Sequence, residues 1–247
     1  MTDKKEEKKI EQINSYEFDE RFYQQIINGE KFFAPSVTYV LGAAYPAGFG
    51  LNQWRGDVGN KRADEIMTEA GDDGSYVHDA IDRMIKGEKI TAEEIETRFK
   101  SKRGLKIKRC LKAFLDWVEE YKPEFIQSEY IIWNTDQNYA GTVDCYCKIG
   151  EEYYFVDWKT SKSIHIQHKI QIVAYDVADS RQGKCAILHL GNTTKKKYSW
   201  LVVKDEDHTK YWDQFRKAND LFKSINPNAK PNSETFPEIF EIEEKTN

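Results

Sequence analysis

Asp144, Asp157 and Lys159 have the residue types and the spacing to hold a divalent cation and act beside it. Asp144 lies in an alternating β-branched and aromatic run over residues 141–149. Gly150 and two glutamates make a turn, and a second alternating run over 153–158 brings up Asp157, then Lys159. Two such runs joined by a short glycine-containing turn predict a β-hairpin. It can set the two aspartates side by side near one end, with Lys159 on the same face as Asp157. Two carboxylates and an ammonium suit metal-assisted phosphodiester hydrolysis, with oxygen ligands for Mg²⁺ and a lysine near the attacking water.

The segment that follows strengthens the case. After Thr160, Ser161 and Lys162, the residues Ile166, Ile170, Val173, Ala174 and Val177 recur at helical spacing. Gln167, Gln171 and Tyr175 fall four apart on a second stripe of the same helix. A polar and aromatic stripe packed towards a strand end can hold a nucleic-acid strand or orient catalytic groups.

The order Gly141-Thr142-Val143-Asp144, then Val156-Asp157-Trp158-Lys159-Thr160, then Gln171-Ile172-Val173-Ala174-Tyr175 resembles the PD-(D/E)XK nuclease superfamily, in its RecB-like exonuclease branch. Gly74-Ser75-Tyr76-Val77-His78 is similar to that branch's upstream G-T-x-x-H, and Glu129 to its earlier acidic residue. The resemblance covers residues 36–175. Val143 stands where the eponymous proline would be, a position that is loose in this branch. A lone D/E-x-K carries nothing, since Asp3-Lys4-Lys5 and Glu6-Glu7-Lys8 also satisfy it. The ordered set is what is specific.

The resemblance implies a restriction-endonuclease-like fold, an α/β (α+β) mixed sheet flanked by helices with an N-terminal helical extension. It implies Mg²⁺ or Mn²⁺ held by Asp144, Asp157, His78, the Trp158 backbone carbonyl and, as a further candidate, Glu129. Catalysis would fall to Asp144, Asp157, Lys159, Gln171 and Tyr175. The implied activity is an exodeoxyribonuclease on single-stranded DNA or duplex ends, of the phage or mitochondrial-genome-maintenance type. Any helicase or recombination partner would be another chain. A structure- or sequence-specific endonuclease on the same fold, and a catalytically silent nucleic-acid-binding or scaffold protein, stay open as alternatives. Retention of Asp144, Asp157 and Lys159 together speaks against silence.

Composition sets outer limits. With 247 residues, 39% of them hydrophobic, one domain with a full core is expected. No apolar run is long enough to span a bilayer, and the charged start is neither a signal nor a transit peptide. The cysteines, Cys110, Cys145, Cys147 and Cys185, are scattered. Reduced thiols in a cytoplasmic protein, acting in a host cytoplasm if phage-encoded, are expected. Relatives with an iron–sulfur cluster use one upstream and three downstream cysteines; nothing suitable follows Cys185, so no cluster is expected.

The net charge of −5 does not advertise a nucleic-acid binder. A dense basic block over residues 98–112 supplies candidate DNA contacts in Lys102, Arg103, Lys106 and Lys108, joined by Lys162, with Lys195 to Lys197 a second block. Either block can equally be a solvated face.

Residues 1–15 read as a charged mobile arm, 16–225 as a single nuclease domain (helical part 16–123, catalytic core 124–225), and 226–247 as an extended tail. Helices are expected over 16–27, stopped by Asn28-Gly29, over 36–41, over 50–70, and from Asp72-Asp73-Gly74-Ser75 to Gly87. Two more are expected over 91–100 and 104–121. Strands are expected over 125–133, 185–190 and 198–203, and a last helix over 209–224.

Overall fold

The computed structural model describes residues 8–15, 20–45 and 48–231. The chain opens with strands β1 (Lys8–Ser15), β2 (Glu20–Ile27) and β3 (Glu30–Pro35), which pair antiparallel in that order. Helices α1 (Val37–Ala44), α2 (Phe49–Val58), α3 (Asn60–Ile85), α4 (Ala92–Arg98) and α5 (Ser101–Tyr121) follow. Then come β4 (Glu124–Asn134), β5 (Tyr139–Ile149), β6 (Glu152–Lys159), α6 (Ile166–Ala178), β7 (Lys184–Leu190), β8 (Tyr198–Val202) and α7 (Asp205–Ile225).

The second sheet is five-stranded and mixed, in the order β4-β5-β6-β7-β8. Only β6 and β7 run parallel, as the α6 crossover between them requires. Apolar side chains of β7 alternate between its faces. Cys185 and Ile187 join α1, α6 and α7 in one core cluster; Leu188 and Leu190 join α3, α4 and α5 in another. The expected mixed sheet flanked by helices is therefore present. In the second cluster Trp158 meets Phe114 and Trp117 edge-on, at 5.5 and 5.8 Å between ring centroids. Each such pair adds about 0.5–1.5 kcal/mol beyond its area burial.

Local signals explain most boundaries. Ser36 Oγ accepts the Tyr39 N–H at 3.1 Å and starts α1. Thr91 Oγ1 accepts the Glu94 N–H at 3.1 Å and starts α4, with Glu93 and Glu94 favourably placed in its first turn. Gly87, at φ +89°, follows α3.

Three expectations are corrected. The helix expected over 16–27 is replaced, within the described residues, by strand β2. Asn28-Gly29 is a hairpin turn and not a helix stop, for both residues have positive φ (51° and 85°), as a type I′ turn requires. The N-terminal extension is thus part sheet. Of the expected mobile arm, Lys8–Ser15 is strand β1, paired along β2 from Lys8↔Ile27 to Ser15↔Glu20; residues 1–7 lie outside the described residues. Finally, no helix begins at Asp72-Asp73-Gly74-Ser75. The break falls earlier, at Gly59 with φ +83°, and α3 runs unbroken for 26 residues. Asp73 does not cap; it is buried and ion-paired to Arg103.

The tail expected from 226 is described to residue 231, with Ala229 packed against the core; the rest lies outside the described residues. Among the described residues no helix is long and apolar enough to cross a membrane.

Candidate metal centre

The site grows from a place where two paired strands part. β5 and β6 pair from Ile149↔Glu152 to Cys145↔Val156 and no further. Beyond that point β5 keeps β4 as its neighbour, while β6 keeps β7 through Asp157↔Ile187 and Lys159↔His189. The Asp144 carboxylate fills the gap: its Oδ2 accepts the Trp158 backbone N–H at 2.6 Å. Trp158 is itself buried in the aromatic cluster, so the backbone carrying the nominated carbonyl is firmly held.

Around Asp144 the other groups converge. Lys159 Nζ donates to Asp157 Oδ1 at 2.8 Å and lies 2.7 Å from Oδ2. Glu129 sits on β4 between the pairs Ser128↔Cys145 and Tyr130↔Val143, which places it opposite Asp144. Its φ of +44° is unusual for a non-glycine residue in a strand, and backbone strain of this kind clusters at functional sites. From α3, His78 Nδ1 lies 3.4 Å from Asp144 Oδ1 and 3.8 Å from Glu129 Oε1. One ligand atom each from His78, Glu129 and Asp144 lies within 4.8 Å of the others.

The charges act on one another. Burial opposes a charged His78, but the Asp144 and Glu129 carboxylates outweigh it and hold its pKa up to about 10. Burial likewise opposes ionisation of Asp144, yet His78, Lys159 and the Trp158 N–H keep it below the usual carboxylate range. Asp157 is pushed up to about 6 by burial, with Asp144 acting in the same direction and Lys159 against it. Burial also raises Glu129, despite His78.

This donor set fits a hard divalent cation. Glu129 Oε1 is buried without a hydrogen-bond partner, a state that costs free energy unless a cation or proton completes it. The three ligand atoms border a cleft of about 630 Å³ that also takes in Lys159, Gln171 and Tyr175.

Two glycines of the quoted motifs explain how the elements close on one another. A Cβ on Gly141 would strike the Tyr175 ring, with Cδ1 and Cζ both at 3.1 Å and Cε1 nearer still. A Cβ on Gly74 would come 3.2 Å from Thr160 Oγ1. The first glycine lets α6 lie on β5, and the second lets α3 lie on the end of β6. Gln171 Nε2 donates to the Tyr175 hydroxyl at 2.8 Å, fixing both buried side chains at the cleft wall.

The nominated basic residues divide. Lys106, which also pairs with Asp73 at 3.4 Å, and Lys162 line a second groove, of about 660 Å³, that shares Gly74, His78 and Lys159 with the first cleft. Arg103 turns away to the buried Asp73 at 2.7 Å and the Glu69 carbonyl at 3.2 Å. Lys108 pairs with Glu96. Lys102 is exposed and does not line either groove. In the second block Lys196 pairs with Glu120 at 2.6 Å.

A scan against family models finds no match, and a search of curated proteins finds none either. Among solved structures, the chain is similar to the crystal structure of SSO0001, at 15% identity over 57% of this chain and 73% of that one, with a TM-score of 0.28. So low a score supports no statement about this chain.

Sequence reasoning missed several cleft residues. Asp79 and Asp82 border the cleft, and Asp82 Oδ1 accepts from Ser128 Oγ at 2.5 Å. Asp82 could have been found, since it lies four residues after His78 on one helix face. Tyr23, whose hydroxyl is 2.9 Å from Thr142 Oγ1, could not, because its segment read as a helix.

Proposed function

We propose that this protein is a Mg²⁺- or Mn²⁺-dependent deoxyribonuclease, an exonuclease acting on single-stranded DNA or duplex ends. The reading rests on one observation: His78, Glu129 and Asp144 converge from three elements beside the Asp157–Lys159 pair, with a buried Glu129 oxygen that lacks a hydrogen bond. The mixed sheet with helices on both faces is compatible with a restriction-endonuclease-like core. The exonuclease form comes from the resemblance to the RecB-like branch, as does the possibility of a motor or recombination protein in another chain. A cytoplasmic site of action belongs to the same proposal.

Asp144, His78 and Glu129 would hold the cation, with Asp157, whose oxygens face Lys159, and the Trp158 carbonyl as further oxygens. The cation would lower the pKa of the attacking water and offset charge on the scissile phosphate. Lys159, steadied by Asp157, would orient or deprotonate that water or offset charge in the transition state. Gln171 and Tyr175 support the cleft wall. Lys106 and Lys162 attract the phosphate backbone along the adjoining groove.

End-labelled single-stranded, duplex and circular DNA incubated with Mg²⁺ or Mn²⁺ test this. Progressive release of mononucleotides or short oligomers from an end, with circles left intact, is the expected result. Discrete internal fragments would assign an endonuclease, and binding without cleavage under every metal would leave a silent binder.

A further inference from the structure

Away from this centre, three side chains of ligand type meet where α6 ends and β7 and α7 begin. They are Asp176, Cys185 and His208, and one ligand atom of each lies within 4.8 Å of the others. His208 Nε2 is 2.7 Å from Asp176 Oδ2. Cys185 Sγ faces the Ile172 carbonyl at 3.6 Å, a weak hydrogen bond that a better partner can replace. Beside them lies a cavity of about 250 Å³, lined by Cys185, His208, Asp205 and Thr209. Lys184 and Lys204 border it too, but their ammonium groups are engaged, with Glu152 at 3.1 Å and Glu206 at 3.4 Å.

We propose that Asp176, Cys185 and His208 form a second cation site, selective for Zn²⁺ and distinct from the centre at Asp144. A thiolate with an imidazole and one carboxylate is a zinc donor set, whereas the Asp144 centre contains no sulfur and suits Mg²⁺ or Mn²⁺. Donors around a tetrahedral zinc ion lie roughly 3.3–3.7 Å apart, given bond lengths of about 2.0–2.3 Å. No separation here therefore has to close by more than about 1.5 Å, and His208 Nε2 exchanges its contact with Asp176 for the ion. The Cys185 thiol proton leaves to solvent on binding. The adjoining cavity has room for water as the fourth ligand.

The consequence is mechanical. Asp176 directly follows Tyr175 in α6, so the ion ties the helix that carries Gln171 and Tyr175 to the first residues of both β7 and α7. The site does not depend on the nuclease reading.

Co²⁺ titration of the purified, metal-free full chain tests it, because cobalt–thiolate charge transfer gives near-ultraviolet absorption that oxygen and imidazole ligands do not. The expected result is one equivalent of such absorption, abolished by Zn²⁺. It should be absent in Cys185→Ser and retained in His78→Ala. His208→Ala should weaken Co²⁺ binding at this site at least about tenfold, no less than the loss of a supporting outer group. No charge-transfer absorption in the parent, or full absorption in Cys185→Ser, overturns the proposal. If circular dichroism shows Cys185→Ser unfolded, His208→Ala decides, and unchanged Co²⁺ affinity there overturns it as well.

Discussion

The Asp144 carboxylate accepts the backbone N–H of Trp158 at 2.6 Å across the point where β5 and β6 separate. One side chain thus serves as candidate ligand and as the cap of a broken ladder. Read from sequence, removing either aspartate should be neutral or stabilising without metal, because carboxylate repulsion is relieved. The structure restricts that to Asp157. Asp144→Ala should abolish cleavage and cost about 1–3 kcal/mol in metal-free protein, since a buried N–H loses its acceptor. Asp157→Asn should also abolish cleavage but leave metal-free stability at or above the parent's, because it relieves the repulsion and keeps an acceptor for Lys159. Nuclease assays with urea unfolding check both, and equal stability of Asp144→Ala and the parent would refute the capping role.

His78→Ala should weaken Mn²⁺ binding more than Mg²⁺ binding, because the remaining donors are all oxygen. Calorimetric titration with each metal measures this. A Mn²⁺ isotherm like the parent's would make His78 a packing residue.

Gly141→Ala and Gly74→Ala should differ sharply. At Gly141 the new methyl collides with the buried Tyr175 ring, and overpacking of that kind costs about 1–3 kcal/mol. At Gly74 the neighbour is the end of the short Thr160 side chain, and alanine brings about 0.8–1 kcal/mol of helix propensity. Thermal melts should show Gly141→Ala clearly destabilised and Gly74→Ala near or above the parent.

Lys106→Ala with Lys162→Ala should weaken DNA binding mainly at low salt. The slope of log K against log salt should fall by about 0.7 per lost single-strand contact. Lys108→Ala should leave the slope unchanged, since that lysine lines neither groove and pairs with Glu96. Binding isotherms at several salt concentrations separate the two, and an unchanged slope in the double variant would move the DNA path elsewhere.

His168, half-buried on α6, has its pKa depressed to about 3 by burial, with Lys159 adding to the effect. A folded-state pKa below the unfolded value of 6.5 gives stability that is present above 6.5 and lost as pH falls towards 3. His168→Gln should therefore flatten the acid side of the melting-temperature profile. An unaltered profile below pH 6.5 would show that His168 titrates normally.

The hairpin that carries Asp144, Asp157 and Lys159 and the helix that carries Gln171 and Tyr175 were legible because both periods are local and the turn glycine lies between them. The helix expected over 16–27 fails because the four-residue spacing of Phe22 and Ile26 fits one face of a helix and one face of a strand equally well. Asn28-Gly29 held the correct answer in its turn chemistry. Other features needed the folded chain. The splaying of β5 from β6 appears only with β4 and β7 paired along their outer edges. The positive φ of Glu129, the Asp73–Arg103 pair thirty residues apart, and the meeting of Asp176, Cys185 and His208 all depend on which elements pack together. Sequence spacing sets which residues share a face of one element; only long-range packing sets which faces meet, and there the charges of this chain find their partners.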